Sequence, residues 1–322
     1  MSDPLIEGFV LDGKGGARPM DFEELRAGPD VPRGGFYWAH LDLGADQDWL
    51  RRKAGLDAVV VQSLLANETR PRCTVHENGL MMTLRGVNLN PESQSEDMVS
   101  LRVWVEKGRL ITVRKRRLVA VEDLRNALRE GQGPDDTGTL LFQMLRGLTN
   151  KMEPVVDELA DRVDVFEEQS LTATVEELRG PLAAMRHDAI VFRRYIAPQR
   201  EAYARFAANE TGLLHDTLQN AAREEADRLT RVVEELDITR ERAGIIHDQL
   251  VDRRSEEMNR NMLVLSVVTA IFLPLGFLTG LLGINVGGMP GADMDVAFWI
   301  VCALLICITL AELWLFRKMK WI

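Results

Sequence analysis

One helical face in the C-terminal part of this chain gathers neutral oxygens, glycines and two carboxylates. The stretch FLPLGFLTGLLGINVGGMPGADMD, Phe272 to Asp295, ends an apolar run at Gly283-Ile284-Asn285 and passes into a glycine-rich turn with Asp293 and Asp295. Back from Gly280, alternate steps of four and three residues pick out Gly276, Leu273, Thr269, Ser266, Met262, Asn259, Ser255, Asp252 and Asp248. Such steps keep to one side of an α-helix. No charge lies on the apolar part of that stripe, so a divalent cation moving along it meets no carboxylate able to replace its water. Stripping that water costs far more than neutral groups return. The chemistry expected is passage of a largely hydrated ion, with a ring of Asn285 carboxamides facing its hydration shell at one mouth. Mg²⁺ in particular gives up its waters reluctantly. Plainer uses stand beside this one. Asn and Gly are ordinary turn residues, and Gly276-xxx-Gly280 suits close helix packing.

Asp248 and Asp252, four residues apart, share the polar end of the stripe. Repeated around an axis they form two stacked acidic rings that concentrate cations; pointing outward, they pair with Arg242, Arg253 or Arg254 instead. His40, His76, His187, His215 and His247 form no HxH or HxxxH pair. His247 beside Asp248 is the candidate Zn²⁺ contact, since imidazole suits zinc better than magnesium. Cys73, Cys302 and Cys307 have no metal-ligand spacing, and no structural disulfide is expected. No P-loop, nucleophile elbow or metal-hydrolase motif is present, so an enzyme is not expected. Nor is a resident cofactor; the metal would be cargo.

The elements that must position these residues are membrane helices. Asn261 to Ala292 contains no Asp, Glu, Lys or Arg, and Val296 to Ala311 is again uncharged. Each run approaches the roughly 20 apolar residues of a bilayer span, the second when Leu313 to Phe316 are included. Arg253, Arg254 and Arg260 precede the first span and Arg317, Lys318 and Lys320 follow the second, whereas the turn between holds no Lys or Arg. The positive-inside rule then places both termini in the cytoplasm and the turn outside. MSDPLIEG lacks a basic segment followed by an apolar one, so no signal peptide is expected. A net charge of −10 argues against a nucleic-acid partner.

Upstream, IEGFV, GFYWAHLDL, GLMMTLRGVNL and SLRVWVEKGRLITVRK read as strands, with Gly108-Arg109 as a hairpin signal. DQDWLRRKAGLDAVVVQSLLAN between them reads as helical, entered through Asp46 or Asp48. From Leu118 helical patterns dominate. Asp157, Glu158, Asp161, Asp164, Glu167 and Glu168 form an acidic face, either a solvated surface or one that attracts cations. From Asn209 a seven-residue pattern (Leu229, Val232, Leu236, Thr239, Ala243, Ile246, Leu250) continues without a stop into the first span, as one helix of about 110 Å. The expected divisions are a cytoplasmic α/β domain over 1–208 with a helical C-terminal part, a stalk helix over 209–261, a first span over 262–284, an external turn over 285–295, a second span over 296–316 and a basic tail over 317–322. One hairpin cannot enclose water, so conduction requires several copies around an axis. A membrane-anchored sensor is the competing function, but only about ten residues lie outside to receive a signal.

PLGFLTGLLGIN, the following GGMPG turn and a second span ending in RKMKWI together resemble the CorA superfamily of divalent-cation transporters; RRYIAPQRE (Arg193 to Glu201) fits less distinctively. Those proteins carry Gly-Met-Asn between two C-terminal membrane helices. Ile284 replaces the Met here, and GIN followed by VGGMPG is similar to the zinc-transporting ZntB branch. The resemblance implies an inner-membrane homopentamer with an α+β cytoplasmic funnel domain and a pore lined by the stalk and first span. It also implies Zn²⁺ as cargo, with proton-coupled import, and Mg²⁺, Co²⁺ and Ni²⁺ as the alternatives. Ile284 keeps the bulk and apolarity of Met. The glutamate usual in the outer turn of the magnesium branch is absent, so cation capture there would fall to other groups, Asp293 and Asp295 among them.

Overall fold

The computed structural model describes residues 5–45, 47–67, 70–284, 291 and 294–319. Met1–His247 and Asp248–Ile322 form two compact units. The first is built on a seven-stranded sheet, with strands β1 (Leu5–Leu11), β2 (Ala17–Met20), β3 (Phe36–Asp42), β4 (Arg72–His76), β5 (Gly79–Gly86), β6 (Val99–Glu106) and β7 (Arg109–Arg114). Their order is β2-β1-β3-β7-β6-β5-β4. Only β3 and β7 run parallel; every other pairing is antiparallel. The alternation of VSLRVWVE places Trp104 among Met81, Ile111, Val113 and the apolar residues Val60, Val61 and Leu64 of helix α2 (Ala58–Leu64). Helices α3 (Val119–Arg129), α4 (Thr137–Gln169) and α5 (Val175–Ala207) follow the sheet, after the short α1 (Phe22–Ala27) near its start, and the first part of a long helix completes the unit. At Gly86 an added Cβ would lie 2.7 Å from Leu118 Cδ2 and 2.8 Å from Leu148 Cδ2, so a side chain at the end of β5 would require both buried leucines to shift.

Three boundaries differ from the sequence expectation, each for a local reason. The β6–β7 turn centres on Lys107-Gly108, because Glu106 pairs directly with Arg109 and Gly108 takes φ +92°. The segment expected as one helix breaks at Gly55 (φ +64°) into a π-helical turn, Trp49–Lys53, and α2. Asp48 makes no side-chain cap there; Asp57 caps α2 by accepting the Val59 N–H at 2.7 Å. Asp46 lies outside the described residues. Finally, the long helix α6 runs Asp216–Leu282 rather than starting at Asn209. Asn209 sits at φ +57° just past α5, the left-handed position that ends helices. Its side chain accepts from Leu214 N–H at 2.9 Å and donates to Leu214 O at 2.7 Å, closing the turn. His215 Nδ1 then accepts from Leu218 N–H at 3.3 Å at the start of α6.

A buried hydroxyl joins β3 to β7. Thr112 Oγ1 accepts from Trp38 Nε1–H at 2.8 Å and meets His40 Nδ1 at 2.7 Å, while His40 Nε2 has no partner among the described residues. Burial, then the positive charges of Arg114 and Arg125, hold the His40 pKa well below its usual 6.5. In the unfolded chain this imidazole takes a proton as pH falls through about 6.5; in the folded chain it does not. Stability is therefore fully present above that pH and is lost below it, by about 1.4 kcal/mol per pH unit for one proton. Denaturant melts of the full chain between pH 7 and 5 should show this slope, and His40→Asn should remove it.

Candidate functional site

α6 carries the candidate site. Its first part belongs to the N-terminal unit, where Leu229, Val232, Leu236, Thr239, Ala243 and Ile246 are all buried. Ion pairs hold it to its neighbours. Arg228 bonds Glu153 of α4 at 2.5 Å, Arg193 of α5 bonds Asp237 at 2.5 Å, and Arg242 bonds Asp164 at 2.7 Å and also Glu167. Two members of the acidic face of α4 are thus engaged by Arg242. These pairs are partly exposed and individually worth little, so the apolar seam does most to fix α6.

In the second unit the stripe from Asp248 to Gly280 lies along about 48 Å of unbroken helix. Asp248, Asp252, Ser255, Asn259, Met262, Ser266, Thr269, Leu273, Gly276 and Gly280 are all exposed on the protomer. Val264 on the opposite face is exposed as well, so it is side-chain chemistry, not exposure, that distinguishes the stripe. Thr269 Oγ1 donates to the Leu265 carbonyl at 2.8 Å, which leaves its lone pairs outward. Pro274 lies inside the helix and has no N–H for the carbonyl of Ala270. An added Cβ at Gly276 or Gly280 meets nothing within 4 Å. The protomer itself gives no reason for glycine at either position.

Helix α6 closes at Leu282, where Gly283 N–H bonds the Thr279 carbonyl at 2.9 Å. Ile284 is exposed. Asn285 and Asp293 lie outside the described residues. Asp295 is exposed in the turn before α7 (Ala297–Lys318), where a carboxylate suits the helix N-terminus. α6 and α7 are both long and apolar enough to cross a membrane, and only 6% and 0% of their most apolar windows are buried. A core helix of a soluble domain would be mostly covered. Cys302 and Cys307 on α7 are free thiols.

Among the described residues no three His, Cys, Asp or Glu side chains gather into a metal cage. His247 is half-buried beside the exposed Asp248. His40 belongs to the core and His215 to a helix start, while His76 packs edge-on against Trp104 with ring centroids 5.5 Å apart. Cys73 is buried, and burial pushes its thiol up to about 12, which keeps it a protonated, poor ligand. One group missed in the sequence is Arg102, which is 1% exposed and lines a cavity in the sheet domain. Its place two residues before Trp104 on an alternating strand was the available signal, since it puts both on one face.

A mixed α/β domain, a helix of 67 residues with an apolar C-terminal part and a second apolar helix after it define an integral membrane protein in which one helix runs from the sheet domain into the first span. Residues 33–318 match the family described as CorA-like Mg²⁺ transporter protein, and the chain belongs to that family. It is 38% identical to the divalent cation transporter CmaX of Pseudomonas aeruginosa, over 99% of this chain and 97% of that one. It is 32% identical to the zinc transport protein ZntB of Pectobacterium carotovorum, over 98% and 96% respectively. A solved structure of full-length CmaX superposes with a TM-score of 0.86 at 37% identity, covering 100% of this chain and 99% of that one. The family is one of transporters, and the fold is the one they share.

Proposed function

We propose that the chain assembles as a homopentamer in the inner membrane and carries a divalent cation, Zn²⁺ in the first instance, through a central pore lined by α6. The observation that carries this reading is the single stripe on α6, small or polar except at Leu273 and Met262, that runs from Gly280 to two carboxylates at Asp252 and Asp248. In a lone protomer that stripe faces lipid; around an axis it encloses water, as irregular or polar surface within a bilayer requires. Residues 1–215 and the stalk, the part of α6 from Asp216 to position 261, lie in the cytoplasm, as the flanking Arg and Lys residues favour, with spans over 262–284 and 296–316, an external turn between them and a basic tail at 317–322. Gly283, Ile284 and Asn285 form the outer mouth, with Asp293 and Asp295 beside it. Asn259, Met262, Ser266, Thr269, Leu273, Gly276 and Gly280 line the path. His247 and Asp248 offer a Zn²⁺ contact at the inner end.

Similarity to a relative named for zinc transport supports zinc, and the family's magnesium description supports Mg²⁺; a channel for Mg²⁺, Co²⁺ or Ni²⁺ is the second reading. Proteoliposome uptake of the four ions, with and without a pH gradient, tests the proposal. Zn²⁺ uptake that exceeds the others and rises with an inward proton gradient is the expected result. Uptake of none of them contradicts it; preference for Mg²⁺ replaces zinc by the second reading.

The inner rings give a separate expectation. Asp248 and Asp252 are exposed on the protomer, so replacing both with Asn removes charge without opening a core. Arg242, one of the partners available to them from sequence, is engaged by Asp164 and Glu167 instead. The double variant should reduce cation flux, most at low ionic strength where screening is weakest. Wild-type flux at low salt would mean that both side chains point away from the path.

A further inference from the structure

A cavity of about 290 Å³ opens at the end of the sheet where β5, β6 and β7 approach α5. Arg102 of β6 lines it and is 1% exposed. Its Nη2 donates to the Ala66 carbonyl at 2.6 Å and to the Asn67 carbonyl at 3.3 Å, just beyond the C-terminal end of α2. These two bonds occupy one nitrogen. Nε and Nη1 are buried without a hydrogen-bond partner among the described residues, and between them they carry three N–H donors. No ion pair joins Arg102 to a carboxylate among the described residues. Leaving charged donors buried and unmet is costly. Burial, then the positive charge of Arg85, lowers the guanidinium's pKa.

The other lining groups extend the positive field. Lys115 and Arg116 follow β7 and are exposed at the rim. Arg85 adds charge but is engaged, with Nη1 on the Met98 carbonyl at 2.6 Å and its guanidinium 4.4 Å over the Tyr195 ring. Two carboxylates also line the cavity, Glu96 and Asp97; Asp97 leans to Arg116 at 3.7 Å. That leaves Arg102 and Lys115 as the cations best placed to receive an anion. An acceptor with several oxygens meets the spread of Arg102 donors better than a monatomic ion does. The volume takes a phosphate group, free or as the end of a larger molecule.

We propose that this cavity of the N-terminal domain is a binding site for a phosphate-class oxyanion, received by Arg102 at the back and Lys115 at the rim. The site is distinct from the α6 stripe and does not depend on what the stripe conducts.

The test uses the full chain in detergent and divalent-free buffer at fixed ionic strength, titrated calorimetrically with inorganic phosphate, with ATP and with chloride. Saturable binding of phosphate or ATP, without equal binding of chloride, is expected; whichever of the two binds tighter identifies free or esterified phosphate as the source. Lys115→Gln should weaken that binding by at least about tenfold, as removal of a charge-assisted hydrogen bond implies. Arg102→Met should abolish it. Should Arg102→Met fail to fold, the exposed Lys115→Gln and the chloride control decide alone. No saturable phosphate or ATP binding, chloride binding equally well, or Lys115→Gln binding like wild type would each overturn the proposal.

Discussion

Asn285→Ala is expected to reduce divalent-cation flux at least about 100-fold while the fold and the oligomer stay intact. The carboxamide at the end of the first span is, in the proposed pore, repeated in every copy. Each repeat offers an oxygen to the hydration shell of the ion, and a net hydrogen bond is worth roughly 0.5–1.5 kcal/mol. Removing five such hydrogen bonds at once costs several kcal/mol, and about 2.7 kcal/mol already equals a hundredfold change. A side chain facing water at a pore mouth contributes little to folding, so native mass spectrometry in mild detergent should find the same oligomer in the variant. Wild-type flux and ion preference in Asn285→Ala would reduce the GIN step to an ordinary turn. A transport-competent monomer or dimer in the same spectra would remove the pore altogether.

Gly280→Leu should be the most damaging change along the stripe itself. Within the protomer it ought to be harmless or mildly stabilising. An added Cβ meets nothing within 4 Å, and glycine costs about 1 kcal/mol relative to alanine in a helix interior. Leucine is nearly as good a helix former as alanine. If Gly280 lines a path wide enough for a hydrated ion, five isobutyl groups at one level close it, and flux should fall below detection with the oligomer preserved. If Gly280 instead lets neighbouring helices touch, the oligomer itself should dissociate. Size-exclusion chromatography beside the flux assay separates the two, and normal flux in an intact oligomer would show that the stripe faces neither.

Much of the fold is legible in the sequence because its signals are local and strong. Alternation in SLRVWVEKGRLITVRK marks two strands, and more than thirty uncharged residues in a charged chain mark a span. Helix boundaries were less legible because competing caps lie close together. Asp48 and Asp57 both precede apolar residues, and only the break at Gly55 selects Asp57. Asn209 resembles any exposed helix residue until its left-handed φ and its two bonds to Leu214 end α5. The stripe on α6 is readable as a period, but the lumen proposed for it is not a property of one chain. The protomer exposes Val264 and Ser266 alike, and only neighbouring copies can assign one to lipid and the other to water. Arg102 was missed for a different reason. An arginine on an alternating strand reads as solvent-facing, and its burial follows from hydrogen bonds to the end of α2, 35 residues away along the chain.

Thiol accessibility in the bilayer tests the water-lined stripe most directly. With Cys302 and Cys307 replaced by Ala, single cysteines at Ser266 and Thr269 on the stripe are compared with Val264 and Ile271 on the opposite face. The full chain is reconstituted in liposomes and treated with a membrane-impermeant, cationic thiol reagent. Modification at Ser266→Cys and Thr269→Cys, with loss of Zn²⁺ flux, and no reaction at Val264→Cys or Ile271→Cys is the predicted result. Reaction at Val264→Cys and Ile271→Cys but not on the stripe, or no reaction at any of the four in a preparation that conducts, would contradict a pore lined by this face of α6.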